Sequence, residues 1–116
     1  MNTTYTLTLN DGKTVKLSTN FALLYKFRAE HKDMYNKYIR IKNNFKKYDD
    51  LDACYVIYIG YRCANPEINI EYEKFLELVP PDTAIIYDLF IKLIAPSRMN
   101  KGFRPGVSRG NRKNKQ

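Results

Sequence analysis

The stretch DLDACYVIYIGYRCAN, from Asp50 to Asn65, decides how the rest of the chain is read. Between Ala53 and Ala64 only Gly60 and Arg62 interrupt a run of apolar and aromatic side chains. A one-sided surface helix would show polar residues every third or fourth place, and this run does not. It is also too short to cross a bilayer, which needs about twenty apolar residues. Tyrosine, valine and isoleucine favour strands locally. No turn signal divides the run, however, and its length suits a helix. Asp50 and Asp52 sit where acidic side chains complement the positive end of a helix. Asn65-Pro66 then stops it, because proline forces the preceding residue out of helical geometry. The stretch predicts the central helix of a small bundle, buried on most of its circumference. Glycine in a helix costs about 1 kcal/mol against alanine, so Gly60 marks either the tightest crossing of the bundle or a tolerated accident.

Upstream, Thr4 to Leu17 predicts a β-hairpin. Tyr5, Leu7 and Leu9 alternate with polar residues, Asn10-Asp11-Gly12-Lys13 supplies a turn, and Val15 and Leu17 resume the alternation. A two-residue Asp-Gly loop would place Leu9 opposite Thr14 and mix the two faces. An odd-numbered loop keeps the apolar set together, for instance a type I turn with Gly12 in the left-handed position. Such a hairpin is marginal alone and must lie on the helices that follow.

One of Ser18, Thr19 and Asn20 is expected to cap a first helix with Phe21, Leu24 and Phe27 inward and Leu23 beside them. The polar run Glu30-His31-Lys32-Asp33 breaks it. Asp33 is expected to cap a second helix carrying Met34, Tyr38, Ile41 and Phe45 on one face. After the central helix, Glu71 to Val79 predicts a short helix with Tyr72, Phe75, Leu76 and Val79 inward, ended by Pro80-Pro81. Asp82 or Thr83 caps a last helix with a stripe of Ile85, Ile86, Leu89, Phe90, Leu93 and Ile94, closed by Pro96. The expected fold class is mainly α (α+β): an N-terminal β-hairpin followed by a small bundle of about five helices. Residues 1–96 read as one globular domain. Residues 97–116 read as a disordered basic tail, too poor in large apolar residues to order itself.

Charge sharpens this division. The net charge of +8 on 116 residues is almost all in the tail, where seven cationic residues meet no acid. The first 96 residues carry only +1. Within them Lys26 to Lys47 is net +6 and Asp49 to Asp88 net −7. Such an asymmetry is either neutralised inside the fold, the preferred reading, or favours head-to-tail contact between copies. The polar N-terminus predicts no signal peptide, and no transmembrane segment is expected. Cys54 and Cys63, nine residues apart on one helix, would face opposite sides roughly 13 Å apart. They read as two reduced, buried thiols of a cytoplasmic protein, outside metal-ligand spacing.

Catalytic chemistry finds little to work with. The single histidine, His31, lies in a polar run and reads as a solvated surface group. No phosphate-cradling glycine loop occurs, and Asp49, Asp50 and Asp52 lack the alternating oxygen ligands and glycine turn of a cation loop. Helix capping explains them better. The expectation is a non-enzymatic protein with no catalytic, metal or cofactor residues.

The order of these parts has a likeness. Tyr5-Thr6-Leu7-Thr8-Leu9-Asn10-Asp11-Gly12-Lys13 leads into Phe21-Ala22-Leu23-Leu24-Tyr25-Lys26. Then follow Leu51-Asp52-Ala53-Cys54-Tyr55-Val56-Ile57-Tyr58 with Ala64-Asn65, then Tyr72-Glu73-Lys74-Phe75-Leu76-Glu77-Leu78-Val79-Pro80, and a basic tail. Over residues 4 to 95 this resembles the tail assembly chaperones of siphophages and prophages of Gram-positive bacteria. Each element is a packing pattern, and the resemblance rests on their order. It implies a small, mostly helical, non-enzymatic protein that coats the aggregation-prone helical tape measure protein while tube subunits polymerise around it. It further implies action in the host bacterial cytoplasm and absence from the mature virion. Many such proteins are made in two lengths by a programmed frameshift. The chain would then be the short form, the longer one engaging the tail tube protein.

A chaperone of this kind shields apolar stripes on a partner helix. Ten tyrosines exceed what so small a core can hide, so some of Tyr25, Tyr35, Tyr48, Tyr61 and Tyr87 are expected at the surface, where tyrosine gives contact area at low entropic cost. The candidate partner-binding residues are Tyr25, Tyr35, Tyr61 and Tyr87 with Arg98, Lys101, Phe103 and Arg104 of the tail. Two other readings stand beside this one. The tail, with Phe103 among its cations, could bind nucleic acid through phosphate contacts, although no groove-reading helix or RNA-binding signature accompanies it. A minor structural component of the phage tail is the third.

Overall fold

Asp50 to Ala64 forms a single helix in which every residue from Ala53 to Cys63 is buried. The computed structural model describes residues 4–94. The chain runs through β1 (Tyr5–Thr8), β2 (Thr14–Leu17), α1 (Phe21–Glu30), α2 (Lys32–Asn43), a short 3-10 turn at Phe45–Lys47, α3 (Asp50–Ala64), α4 (Tyr72–Leu78) and α5 (Thr83–Ile94). It is thus an N-terminal two-stranded hairpin followed by five α-helices. The expected disordered tail at 97–116, and Pro96 as the stop of α5, lie outside the described residues.

The burial of α3 follows from its neighbours: β2, α1, α2, α4 and α5 all pack against it. Its start is fixed by a capping box. The Asp49 carboxylate accepts from the Asp52 backbone N–H at 2.8 Å, and Asp52 accepts from that of Asp49 at 3.3 Å. At the other end Asn65 donates from its side chain to the carbonyls of Tyr61 and Lys16, tying the end of α3 to β2. Gly60 sits at a close crossing. A Cβ there would lie 3.3 Å from Leu93 Cδ1 on α5 and 3.6 Å from Leu17 Cβ on β2. On the same stretch the Gly60 carbonyl accepts from the Ser18 backbone N–H at 3.0 Å. Close approach, not accident, accounts for the glycine.

The hairpin pairs Tyr5 with Leu17 and Leu7 with Val15, so its loop is the odd-numbered one that parity requires. Gly12 takes φ +88°, a left-handed conformation that glycine adopts without strain. Leu7, Leu9 and Leu17 consequently share the buried face. The turn has a second task. Asn10 donates from its backbone to Leu78 O at 2.7 Å and from its side chain to Val79 O at 3.1 Å. These are carbonyls that the end of α4 leaves without helical partners, so the hairpin caps α4 from a distance in sequence.

Several local expectations need correction. Asn20 caps α1, accepting from Leu23 N at 3.0 Å, but Asp33 does not cap α2. His31 alone separates the two helices, ending α1 and preceding α2, which puts Asp33 in the first turn. Phe21 and Ile85, expected inward, are exposed, Phe21 to 82 %. Phe45 lies beyond α2, and α4 is the shorter Tyr72–Leu78. The opposite charges of 26–47 and 49–88 are not joined: of the ion pairs among the described residues, His31–Glu30 stays within the first segment and Lys92–Asp88 links the second to a lysine just beyond it. Both cysteines are free and buried, as their spacing implied. No helix among the described residues is long and apolar enough to cross a membrane.

Candidate functional site

Two kinds of surface emerge from this packing. The first is a set of large apolar side chains left outside. Phe21, Tyr25, Leu51, Ile85 and Tyr87 are all exposed, with Tyr25 at 68 % and Leu51 at 61 %. Phe21, Leu51 and Ile85 fall in the first turns of α1, α3 and α5 respectively. A helix meets the core along its middle, so a first-turn side chain points past the neighbouring helices even when its rotational position looks inward. Phe21 and Tyr25 lie one turn apart on α1, with the Arg28 guanidinium 5.7 Å from the Tyr25 ring. Tyr87 packs against Tyr48 with the rings tilted and their centroids 5.8 Å apart, near the start of α3 that bears Leu51. Ile85 borders an open groove of about 530 Å³ between β1 and α5, rimmed by Tyr5, Asp88, Leu89 and Lys92.

The expected binding tyrosines therefore divide. Tyr25 and Tyr87 are exposed and Tyr35 is half-buried. Tyr61 is only 9 % exposed, its ring stacked on Phe75 at 5.3 Å, and is removed from the candidate surface. Arg98, Lys101, Phe103 and Arg104 lie outside the described residues. Phe21, Leu51 and Ile85 escape the tyrosine argument. Their place at helix starts is the signal that could have found them.

The second surface is interior and aromatic. Tyr55, Tyr58, Tyr72 and Phe75 interlock between α3 and α4, with ring centroids 4.9 Å apart for Tyr55–Tyr72 and 5.2 Å for Tyr58–Tyr72. The hydroxyls are satisfied by backbone carbonyls: Tyr58 donates to Ile70 O and Tyr72 to Leu51 O, both at 2.7 Å. Tyr38, Tyr55, Tyr58 and Tyr61 are thus absorbed by the core, because a phenol fills apolar space while its hydroxyl finds a polar partner. Burial pushes the Tyr55 hydroxyl up to about 12, and raises Tyr72 as well.

Arg62 stands at the edge of this cluster, only 7 % exposed. Its Nη1 donates to Tyr58 Oη at 2.7 Å and to Ile70 O at 3.3 Å, and its Nη2 to Asn69 Oδ1 at 3.1 Å. No carboxylate among the described residues lies within 4.0 Å of it. Arg62 also lines a cavity of about 120 Å³ together with Lys26, Phe27, Glu30, His31 and Cys63. His31, expected to be solvated, is partly covered, its ring 4.8 Å from that of Phe27. Burial pushes the Cys63 thiol up to about 12, leaving it neutral near pH 7. Asp49 and Asp52 are engaged in the capping box, and no group of three or more metal-ligating side chains occurs among the described residues.

Comparison with protein families, with curated proteins and with solved structures finds no match to this chain.

Proposed function

We propose that this chain is a non-enzymatic tail assembly chaperone that binds the helical tape measure protein of a phage and keeps it soluble while the tail tube polymerises. The observation that carries the reading is the exposure of Phe21, Tyr25, Leu51, Ile85 and Tyr87 on the starts and outer faces of three helices. A holdase for a long amphipathic helix needs apolar contacts that are numerous, individually weak and tolerant of sequence. Large side chains set out one or two at a time meet that need. A single large patch would make the free protein self-associate. Tyr25 and Tyr87 add area at little entropic cost. The unjoined basic and acidic segments leave charge for the polar flanks of the same partner, or for a second copy of the chain.

In this reading the protein acts in the host bacterial cytoplasm and is absent from the mature virion. It is the short form of a frameshifted pair whose longer form engages the tail tube protein. Co-expression with the tape measure protein tests the central claim. The large protein should remain soluble and co-purify only when this chain is present, and should still do so at moderate salt and after deletion of residues 97–116. If it is equally insoluble with and without the chain, the chaperone function is lost. If nucleic acid instead co-purifies, salt-sensitively and only with the tail attached, the tail is the functional element.

A further inference from the structure

The Arg62 side chain is better built than a loop clamp requires. A guanidinium carries five N–H donors. Tyr58, Ile70 and Asn69 use three of them. Nε and one Nη2 hydrogen find no acceptor among the described residues. A neutral donor would hold Asn69 and the Ile70 carbonyl equally well, without the desolvation cost that burying a full charge entails. That charge has no carboxylate within 4.0 Å among the described residues. The buried thiol beside it, Cys63, is neutral and supplies no counter-charge.

A cavity that Arg62 lines offers the unmet charge a place for a counter-ion. None of the hydrogen-bond partners of Arg62, namely Tyr58, Asn69 and Ile70, lines it. Its volume of about 120 Å³ is several times the roughly 10–15 Å³ that one water molecule requires. Lys26 and His31 line the same space, and Phe27 closes part of it with its ring centroid 6.0 Å from Arg62 Cζ. The one acid on its wall, Glu30, is 77 % exposed and lies 4.0 Å from His31 Nε2, outside the 4.0 Å reach of Arg62. Three nitrogen-bearing side chains thus surround a hole large enough for one small anionic group.

We propose that this cavity is an oxyanion-binding site, in which the free donors of Arg62, helped by Lys26, hold a carboxylate or phosphate group. An arginine edge matches the paired oxygens of either group, and such charge-assisted bonds are about twice as strong as neutral ones. The site is small enough to admit one side-chain carboxylate of a partner or one phosphate. It does not depend on the identity of any partner helix.

Nuclear magnetic resonance titrations of the full chain at fixed pH and ionic strength, with inorganic phosphate and with acetate as separate probes, test it. Saturable shifts are expected at Leu23, Phe27, His31 and Cys63. Lys26→Glu, an exposed substitution at the cavity wall, should weaken binding about tenfold through charge reversal, while Glu30→Gln should tighten it severalfold. Arg62→Gln should abolish it, and should that variant fail to fold, the Lys26 and Glu30 variants still decide. Saturation by acetate alone identifies a carboxylate as the natural occupant, and by phosphate alone a phosphate. Linear shifts with both probes, or binding indifferent to Lys26→Glu, overturn the assignment.

Discussion

Tyr58 and Tyr25 are the same side chain in helices of the same molecule, yet they do opposite things. Tyr58 lies in the middle of α3, packs on Tyr72 and Phe75, accepts from Arg62 and donates to Ile70 O. Tyr25 lies on the outer face of α1, two-thirds exposed, touched by little besides Arg28. The difference is position along and around the helix relative to the central α3, not residue type. Aromatic content therefore says nothing about binding until each ring is placed. The interior cluster accounts for stability, and the outer rings are free for a partner.

If that division holds, the interior side should yield the largest stability losses. Phe75 is fully buried and touches both Tyr58 and Tyr61. Phe75→Ala should cost about 3–5 kcal/mol in urea denaturation, from lost burial and the cavity left between α3 and α4. Tyr58→Phe keeps the ring but removes the hydroxyl that serves Arg62 and Ile70 O together. The expected loss is about 1–3 kcal/mol, because the buried Arg62 loses an acceptor and the Ile70 carbonyl loses one of its two donors. Tyr25→Phe should stay within about 0.5 kcal/mol. Equal losses for the two tyrosine substitutions would erase the distinction between the regions.

Alkali probes the same contrast more gently. Burial holds Cys63 at about 12 against its ordinary 9.0, and Tyr38 and Tyr55 at about 12 against 10.0. The folded state binds these protons more tightly than the unfolded state does. Their contribution is thus fully present below pH 9 and is lost as pH rises from 9.0 toward about 12. Cys63→Ala should delay the onset of that loss to the tyrosine range. A melting temperature flat from pH 8 to 11, at roughly neutral and alkaline extremes alike, would mean that these groups are not desolvated.

Local chemistry made much of this fold legible. The limits of α3 come from Asp49, Asp52 and Asn65-Pro66, and the hairpin register follows from the parity of Leu7, Leu9, Val15 and Leu17. What escaped was depth. A periodic stripe gives the angle of Phe21 or Ile85 around its helix but not how far the neighbouring elements reach along it, and both fall at a helix start. Tyr61 escaped for the opposite reason. A run as apolar as Ala53 to Cys63 already implies burial on every side, which leaves no exposed place for its tyrosines. Arg62 was visible as a polar break in that run, but its partners Asn69 and Ile70 lie in a loop whose path no pattern specifies. The capping of α4 by Asn10 is likewise a long-range contact, without a local signal.

The smallest stability effect carries the most functional weight. Phe21 is 82 % exposed and has little to lose on replacement. Phe21→Ser combined with Tyr25→Ser should change unfolding free energy by no more than about 0.5–1 kcal/mol, the range of surface substitutions that leave caps and packing intact. Asn20 would still cap α1, and Leu24 and Phe27 would still bury its inner face. Partner binding, in contrast, should drop sharply in the co-purification assay, because exposed aromatic rings are the type of side chain that anchors a helix. A stable double variant that still holds the tape measure protein in solution would move the binding surface elsewhere, to Leu51 and Tyr87 at the opening of α3 or to Ile85 beside the β1–α5 groove. An unstable one would show that these rings belong to the core after all, and the contrast between Tyr25 and Tyr58 would fail at its first step.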